Sequence, residues 1–332
     1  MYKFSIFTII IFFISFTAQS AKYRCSIENG QSPYELGVPT TYNHTKYTPD
    51  FSSELLIKTE AAYTSFFSPK PPFLANPKFV SYHLIGVDSQ TNGYYSEPDV
   101  SVDSRWYRSD GLKFLWTGRN QQYKRGLDHS YNGIGRVWNR GHWAMSDHAQ
   151  RISAQASCNT YQFWNASPQA KDLNQGPWRA LENYTAALSN MHGQVWIITG
   201  PIFDEDTDIG FIGDDGDVPV AVPHALFKVI LREVDGQLEQ RAFILDQAYT
   251  SSDGEAPKPV GEWVNCNKAR DTYTYDHGRY LVSLEKLSDR TGLFFSHLFS
   301  NLELKEQHSS IWSVGNKYWD RKTQCGAIPS GD

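Results

Sequence analysis

The sequence lacks several motifs that would identify an enzyme directly. Its 332 residues contain no P-loop, no GxSxG elbow and no HExxH helix, which argues against three common enzyme classes. The four cysteines stand far apart without a CxxC pair, which disfavours a zinc ribbon. The acidic segment 204–217 begins like a calcium loop, but Ile209 stands where such a loop requires glycine. We interpret this segment as a solvated loop away from the functional site.

Excess positive charge is absent as well. Lys and Arg number 31 against 36 Asp and Glu, which gives a net charge of −5. Because no overall basic field attracts nucleic acid, binding of a polyanion requires a local basic patch or a metal ion. The aromatic fraction of 14% and the charged fraction of 20% are typical of a globular protein. A chain of this length buries a substantial core in one large domain or two.

The N-terminus predicts the compartment. It carries an early lysine, an apolar run from Phe4 to about Phe16, and small residues at Ala18 and Ser20. This pattern predicts a signal peptide over 1–20 and a secreted protein, extracellular or, in a bacterium, periplasmic. No later stretch approaches the roughly eighteen apolar residues of a membrane span, so we expect no membrane association of the mature form. In this compartment four cysteines predict two disulfides, with three pairings open and a free cysteine still compatible.

Apolar segments with turn signals between them predict strands at 79–86, 194–203, 224–234 and 239–247. The last two are separated by the residues DGQL, which favour a hairpin turn. The segment 287–299 predicts a turn that leads into another apolar segment. The clearest helix is predicted over 174–193, with Pro177 in its first turn and His192-Gly193 at its end.

Strands dominate this pattern and helices are interspersed among them. The expected fold class is therefore α+β, with a mostly antiparallel central sheet flanked by helices. A Pro-rich segment at 68–78 precedes the first clear strand. We divide the chain into a signal peptide (1–20), an N-terminal extension packed on the main body (21–78) and a main domain (79–332).

Positive charge is concentrated in one part of this acidic chain. Only three acidic residues occur between 105 and 151, against nine basic ones: Arg105, Arg108, Lys113, Arg119, Lys124, Arg125, Arg136, Arg140 and Arg151. A local surplus of this kind is what a phosphate-binding face needs. A solvated basic surface without a ligand would have the same composition.

Four short motifs follow one another after this basic region. They are Arg140-Gly141-His142, Asn165 with Pro168-Gln169, Leu173-Asn174-Gln175, and Leu181-Glu182. A single RGH is weak evidence, but all four in this order and spacing resemble the DNA/RNA non-specific endonucleases of the ββα-metal superfamily, which includes mitochondrial endonuclease G. Weaker similarity extends over roughly residues 80–300. The resemblance implies a ββα-metal catalytic motif in the main domain.

The resemblance also implies roles for individual residues. His142 would be the general base, because an imidazole accepts a proton at neutral pH. Asn174 would be the single protein ligand of Mg²⁺, for which Mn²⁺ or another divalent ion could substitute. Glu182 would hold metal-bound water, and Asn165 would orient the site by hydrogen bonding.

Arginine side chains would bind the phosphate groups of the substrate. Arg140 would contact the scissile phosphate, where the guanidinium fork suits the geometry. Arg105 falls where the family has another phosphate-contacting arginine. We also assign substrate contacts to Arg136 and Arg179.

Each of these residues has a structural interpretation when it is taken alone. A histidine after glycine is more often structural than catalytic, Asn174 could cap a helix, and Glu182 could be an exposed helix residue. His148 could form a two-histidine metal site with His142, but we prefer a surface or outer-shell role because this chemistry needs an oxygen-binding ion. At position 139 the family usually has Asp, and Asn139 stands here. We expect this difference to modulate activity.

Taken together, the sequence predicts a secreted, Mg²⁺-dependent, sugar-non-specific endonuclease. It would hydrolyse phosphodiester bonds of DNA and RNA to 5′-phosphate ends, with no protein partner predicted. One alternative is a degenerate relative that binds nucleic acid or another polyanion without cleaving it. Another is a secreted metal-dependent phosphodiesterase for smaller substrates, which would have a closed pocket instead of an open basic groove.

Overall fold

The structure is a computed structural model that describes residues 23–25, 37–68, 70, 73, 75–100, 102–103, 106, 112, 126–205, 207–251, 255–295 and 310–328. The predicted signal peptide lies outside these residues, as does Arg105 with five other members of the basic cluster: Arg108, Lys113, Arg119, Lys124 and Arg125. Among the described residues, no helix combines the length and the apolar character that a membrane crossing needs.

Numbered along the chain, the strands are β1 (Tyr23–Arg24), β2 (Leu56–Thr59), β3 (Thr64–Ser68), β4 (Asn76–Ile85), β5 (Gln90–Thr91), β6 (Tyr94–Tyr95), β7 (Val102–Asp103), β8 (Trp138–His142), β9 (Ala166–Ala170), β10 (Gln194–Ile202), β11 (Phe211–Ile212), β12 (Val220–Ala221), β13 (Ala225–Val234), β14 (Gln237–Asp246), β15 (Tyr249–Thr250), β16 (Lys258–Pro259) and β17 (Leu281–Val282). The α-helices are α1 (Leu127–Ser130), α2 (Ser146–Gln150), α3 (Ala154–Asn159), α4 (Lys171–Leu173), α5 (Arg179–His192), α6 (Cys266–Ala269) and α7 (Leu284–Thr291). Single 3₁₀ turns occur at Ile134–Arg136, Phe163–Asn165, His277–Tyr280 and Asn316–Tyr318.

The centre of the fold is a seven-stranded sheet in the order β17-β14-β13-β10-β4-β3-β2. Every neighbouring pair in this sheet is antiparallel. The predicted α+β class is confirmed, and the four predicted strands correspond to β4, β10, β13 and β14. Their long apolar runs reflect burial on both faces, since the central strands are covered above and below.

The turn between β13 and β14 is shorter than the predicted one. Val234 already pairs with Gln237, so only Asp235 and Gly236 form the loop. Both have positive φ angles, 52° and 75°, as a two-residue hairpin turn of the primed type requires. The Asp-Gly dipeptide therefore fixes the register of the hairpin.

The N-terminal segment contributes to the same sheet. β3 pairs with β4, and β2 pairs with β3 at the edge. Phe66 and Phe67 of β3 are almost fully buried on opposite sides. The predicted division between residues 78 and 79 lies within β4, and residues 21–78 supply two strands of the sheet as well as a segment packed on it.

The predicted helix at 174–193 is confirmed from Arg179 onward. Its predicted first turn, with Pro177, is instead a π-helical turn (Asn174–Trp178) in which Gly176 has non-helical angles (φ −127°, ψ −108°). Gly193, with φ at 81°, ends α5 as expected.

The predicted turn at the start of 287–299 is wrong. Residues up to Thr291 belong to α7, which begins after Ser283, whose side chain accepts a hydrogen bond from the Lys286 backbone N–H. The helix ends at Gly292 in the left-handed conformation, which explains the turn-like sequence there. Leu284 and Leu287 hold the helix against the sheet. The remainder of the predicted segment, from 296, lies outside the described residues.

Two disulfides connect distant parts of the chain, as predicted. Cys25 is bonded to Cys158, and Cys266 is bonded to Cys325. No free cysteine remains among the four. The second disulfide lies beside the π-helical turn, where Cys325 Sγ is 3.8 Å from the Gly176 carbonyl oxygen.

Candidate functional site

The site is built on two paired strands and one helix. β8 pairs antiparallel with β9, from Trp138 opposite Ala170 to His142 opposite Ala166. α4, the π-helical turn and α5 follow β9 directly. This arrangement is a ββα unit, with His142 at the end of its first strand and the π-helical turn at the start of its helical part.

Gly141 of the RGH motif is required by packing. A Cβ atom at this position would lie 2.0 Å from the Gln169 side chain, so a larger residue would displace that side chain from its place. Gln169 stands two residues along β9 from Ser167, the partner of Gly141, and its Oε1 accepts a hydrogen bond from Asn174 Nδ2. Because Gly141 has no side chain, Gln169 of β9 has space to bond to Asn174.

The π-helical turn that carries Asn174 is braced from outside. A Cβ atom on Gly176 would lie 2.2 Å from the Val264 carbonyl oxygen. Asn265 Nδ2 donates to Asp172 Oδ1 at 2.6 Å, and the Cys266–Cys325 disulfide packs on the same segment. The approach of Val264 excludes larger side chains at position 176. Together these contacts hold the turn in its distorted geometry.

Four of the predicted site residues meet at one cavity of about 220 Å³. They are His142, Asn174, Arg179 and Glu182. Its other described lining residues are Met145, Ser146, Asp147, Tyr161 and Gln175. The ββα unit therefore brings the proposed base, the metal ligand and the acidic residue to a single point.

A second cavity of about 330 Å³ contains Arg140. Asn174 and Gln175 line both cavities, so Asn174 lies between them. The Arg140 guanidinium lies 6.0 Å from the Trp106 ring centroid and 5.8 Å from that of Tyr131. Two aromatic faces thus flank the positive charge in a cavity that Asn174 also lines.

His142 is partly buried and packs against two aromatic rings. Its ring centroid is 4.9 Å from that of Trp106 and 4.8 Å from that of Tyr161. Nε2 is buried and has no hydrogen-bond partner among the described residues. Burial lowers the pKa of His142 to about 4, because the cationic form loses its hydration. The imidazole is therefore neutral at pH 7, as a general base must be.

Glu182 is a buried carboxyl group in the same cavity, with 6% of its surface exposed. Burial raises the pKa of Glu182 to about 7. The Lys228 ammonium opposes this rise, Asp147 adds to it, and Arg179 also opposes it. Its charge state consequently depends on these three neighbours.

A chain of three amides holds Asn174. Asn139 Nδ2 donates to Asn174 Oδ1 at 2.9 Å, and Asn174 Nδ2 donates to Gln169 Oε1. An amide oxygen has two lone pairs, so Asn174 Oδ1 can accept this bond and also bind a cation. Asn139 thus contacts the very side chain that the resemblance assigns to the metal.

The oxygen donors of the site suit a hydrated divalent cation. The described residues contain no group of three or more His, Cys, Asp and Glu side chains that could enclose a metal. The cavity offers the Asn174 amide oxygen as a ligand for Mg²⁺, which keeps several waters, and the Glu182 carboxylate as an acceptor for such waters. None of the described residues in the acidic segment 204–217 lines either cavity.

The remaining predicted residues stand elsewhere. Asn165 is fully buried, and its side chain bonds to the Ala144 backbone N–H and carbonyl and to the Thr160 carbonyl. It therefore holds the turn after His142 without lining the cavity. Arg136 is exposed and lines neither cavity.

The surface alternative for His148 is wrong. The side chain is 4% exposed on α2, and its Nδ1 lies 3.3 Å from the Tyr82 hydroxyl of β4. The short helix after His142 turns this residue toward the sheet, because α2 packs over the core on its His148 and Ala149 side.

Sequence reasoning missed several side chains around the site. Trp106 and Tyr161 contact His142, and the Lys228 charge is the largest influence that lowers the pKa of Glu182. Lys228 did leave a signal, since it is a single lysine inside the apolar strand segment 224–234. The two aromatic residues left none, because their sequence neighbours do not predict contact with β8.

Comparisons with known proteins identify a family. A family model described as DNA/RNA non-specific endonuclease matches residues 43–300. Endonuclease G, mitochondrial, of Homo sapiens is 30% identical over 182 residues, which are 52% of this chain and 52% of that protein. Nuclease EXOG, mitochondrial, of Mus musculus is 31% identical over 196 residues, covering 57% and 46%. The chain thus spans about half the length of the curated relatives it matches.

A solved structure of EndoG in complex with EndoGI, described as showing EndoG inhibition, has a similar fold. The TM-score is 0.52 at 19% sequence identity, covering 76% of this chain and 89% of that chain. At this identity the likeness concerns the fold alone.

Proposed function

The chain belongs to the DNA/RNA non-specific endonuclease family, and from this premise we propose that it is a secreted, divalent-metal-dependent endonuclease. It would hydrolyse phosphodiester bonds in both DNA and RNA and leave 5′-phosphate ends. The observation that carries the proposal is the convergence of His142, Asn174 and Glu182 on one cavity, with Arg140 beside it.

His142 acts as the general base in this proposal. Its neutral imidazole takes a proton from the attacking water, which makes the water a better nucleophile. The Trp106 and Tyr161 rings limit the access of bulk water to the imidazole and keep it neutral. Asn165 supports the turn that follows His142 and so maintains the direction of the ring.

Asn174 would hold Mg²⁺, or Mn²⁺ or another divalent ion, through its amide oxygen. When bound, the ion supplies positive charge that stabilises the pentacovalent phosphate and the leaving oxygen. Gln169 and Asn139 fix the orientation of the Asn174 amide from either side. Glu182 accepts hydrogen bonds from water in the cavity, which is the role of a carboxylate behind a metal ligand.

Arg140 and Arg179 bind phosphate oxygens on the two sides of Asn174. Because these contacts concern the backbone of the nucleic acid, they do not distinguish base sequence or sugar type. Affinity for substrate should therefore fall steeply as salt concentration rises.

Secretion is supported by two features of the chain. The N-terminal sequence has the pattern of a signal peptide, and all four cysteines are paired in disulfides. Disulfides persist in oxidising compartments and are rare in reducing ones. Detection of the protein in the medium of expressing cells, with a mature N-terminus near residue 21, would test this part.

The decisive experiment incubates supercoiled plasmid and RNA with the purified protein and Mg²⁺, with and without EDTA. We expect cleavage of both substrates, loss of cleavage in EDTA, and a fall of about 10²–10⁴-fold in the His142→Ala variant. His192→Ala, at the far end of α5, is the matched control and should cleave normally. Undiminished cleavage by His142→Ala would refute the mechanism, and binding without cleavage by the wild type would favour a degenerate relative.

A further inference from the structure

Lys228 is a fully buried lysine in the middle of the central sheet. It lies on β13, opposite Thr199 of β10 and Phe243 of β14. Its neighbours on the same face of β13, Leu226 and Ile230, belong to the main apolar cluster. The strand pattern thus places a cation among apolar side chains, on the face of the sheet that α5 covers.

No hydrogen-bond acceptor among the described residues contacts the Lys228 ammonium. Its Nζ lies 4.5 Å from the ring centroid of Trp178, the last residue of the π-helical turn. Transfer of an ammonium from water to such surroundings is strongly unfavourable unless a negative charge compensates it. The Trp178 ring supplies part of the compensation.

Glu182 supplies the opposite charge. It stands four residues after Trp178, one helical turn along the same side of α5, and lines the cavity with His142 and Asn174. Burial lowers the pKa of Lys228 to about 8, and Glu182 acts against this fall. In return, Lys228 is the largest influence that favours the ionised form of Glu182.

Other charged groups surround this pair on several elements. Asp147 of α2 and Arg179 of α5 act on Glu182 with opposite signs. His148 of α2 and His277 of the 3₁₀ turn lie within the electrostatic reach of Lys228. Burial holds the pKa of both histidines below the ordinary value, so at pH 7 they add no positive charge beside Lys228.

We propose that Lys228 is a positioning residue of the active site: its buried ammonium pairs electrostatically with the Glu182 carboxylate across the sheet–helix interface and supports that carboxylate at the cavity. The metal-related part of this role rests on the proposed function. Lys228 lines neither cavity, so it touches neither substrate nor the reacting atoms.

The pairing is tested by a double-mutant cycle in unfolding, without any substrate or metal. Lys228→Met and Glu182→Gln are made singly and together, and urea unfolding is measured at pH 7. We expect the double variant to unfold at a higher urea concentration than the sum of the two single changes implies, because each single change leaves one buried charge alone. Additive effects would overturn the proposal. Leu226→Met, on the same face of β13, is the matched control and should be additive with Glu182→Gln.

The positioning role is tested by titration of Mn²⁺ into the folded variants, followed by calorimetry or electron paramagnetic resonance. Lys228→Met should weaken Mn²⁺ binding by about 10-fold or more, while Lys228→Arg should retain most of the affinity. Unchanged affinity in Lys228→Met would overturn the positioning role and leave only a stabilising one. Absence of Mn²⁺ binding by the wild type would refute the proposed function instead, and the unfolding cycle would still decide the pairing.

Discussion

The two faces of the central sheet differ sharply in what they bury. One face packs apolar side chains against α7 and the segment before β2, with Phe66, Phe79 and Phe227 at its centre. The other face carries α5 and the β8–β9 pair, and it buries Glu182 and Lys228 among its apolar residues.

The difference shows that the fold loses stability on the face that carries the active site. An apolar face gains free energy from every side chain removed from water. On the active-site face, Lys228 and His277 have buried nitrogen atoms without hydrogen-bond partners among the described residues. Each such group reduces stability, and it persists beside a site that needs charge at low dielectric constant. The stability gained on the apolar face therefore compensates for the buried polar groups of the active-site face.

Truncation on the apolar face should have the largest effect on stability. Phe227→Ala removes a fully buried ring from β13, and we expect a loss of about 3–5 kcal/mol in the free energy of unfolding. The activity of the fraction that remains folded should stay near that of the wild type, because residue 227 faces away from the cavities. Urea unfolding and plasmid cleavage on the same samples measure both quantities. A fall in activity without a loss of stability would break the comparison between the faces.

Acid should destabilise the active-site face through its buried histidines. Burial lowers the pKa of His277 to about 4, below the value of about 6.5 in the unfolded chain. The unfolded state therefore binds the proton first, so the contribution of His277 is full above pH 6.5 and is lost as the pH falls toward 4. Protonation of His277 lowers the free energy of unfolding by up to about 3 kcal/mol.

The change is checked by unfolding wild type and His277→Gln in urea at pH 7 and pH 4.5. The variant should lose less stability than the wild type between the two pH values, because Gln does not titrate. Equal losses in the two proteins would show that folding does not lower the pKa of His277. His129→Gln serves as the control, since that histidine is only partly buried.

The smallest effect is expected at Asn139, beside the site itself. Asn139→Asp replaces a donor to Asn174 Oδ1 by a carboxylate, which cannot donate, and adds a negative charge. We expect metal-dependent cleavage to remain recognisable and kcat/KM to change by less than about 10-fold, which corresponds to about 1.4 kcal/mol. Steady-state cleavage at several Mg²⁺ concentrations measures this. A change from no activity to full activity would show that residue 139 governs the site.

Much of the site could be predicted from the sequence, because its elements are local. His142 ends a strand, Asn174 begins a helical segment and Glu182 follows within it, so their spacing along the chain already determines their positions in the ββα unit. The same holds for the strands β4, β10, β13 and β14, whose patterns are continuous. The prediction for the segment around α7 was wrong because the Asp-Arg-Thr-Gly residues at the end of the helix resemble a turn. The capping residue Ser283 lies before the predicted segment.

The sequence by itself determined the family, the fold class and the chemical groups of the site, since each depends on residue type and short spacing. Only the tertiary structure decided the disulfide pairing, the amide chain from Asn139 to Gln169, and the position of Lys228 against the Trp178 ring. These features join residues that are far apart in the chain, or depend on a distorted turn held by distant contacts. Their free energy comes from burial and close packing, which no short stretch of sequence contains.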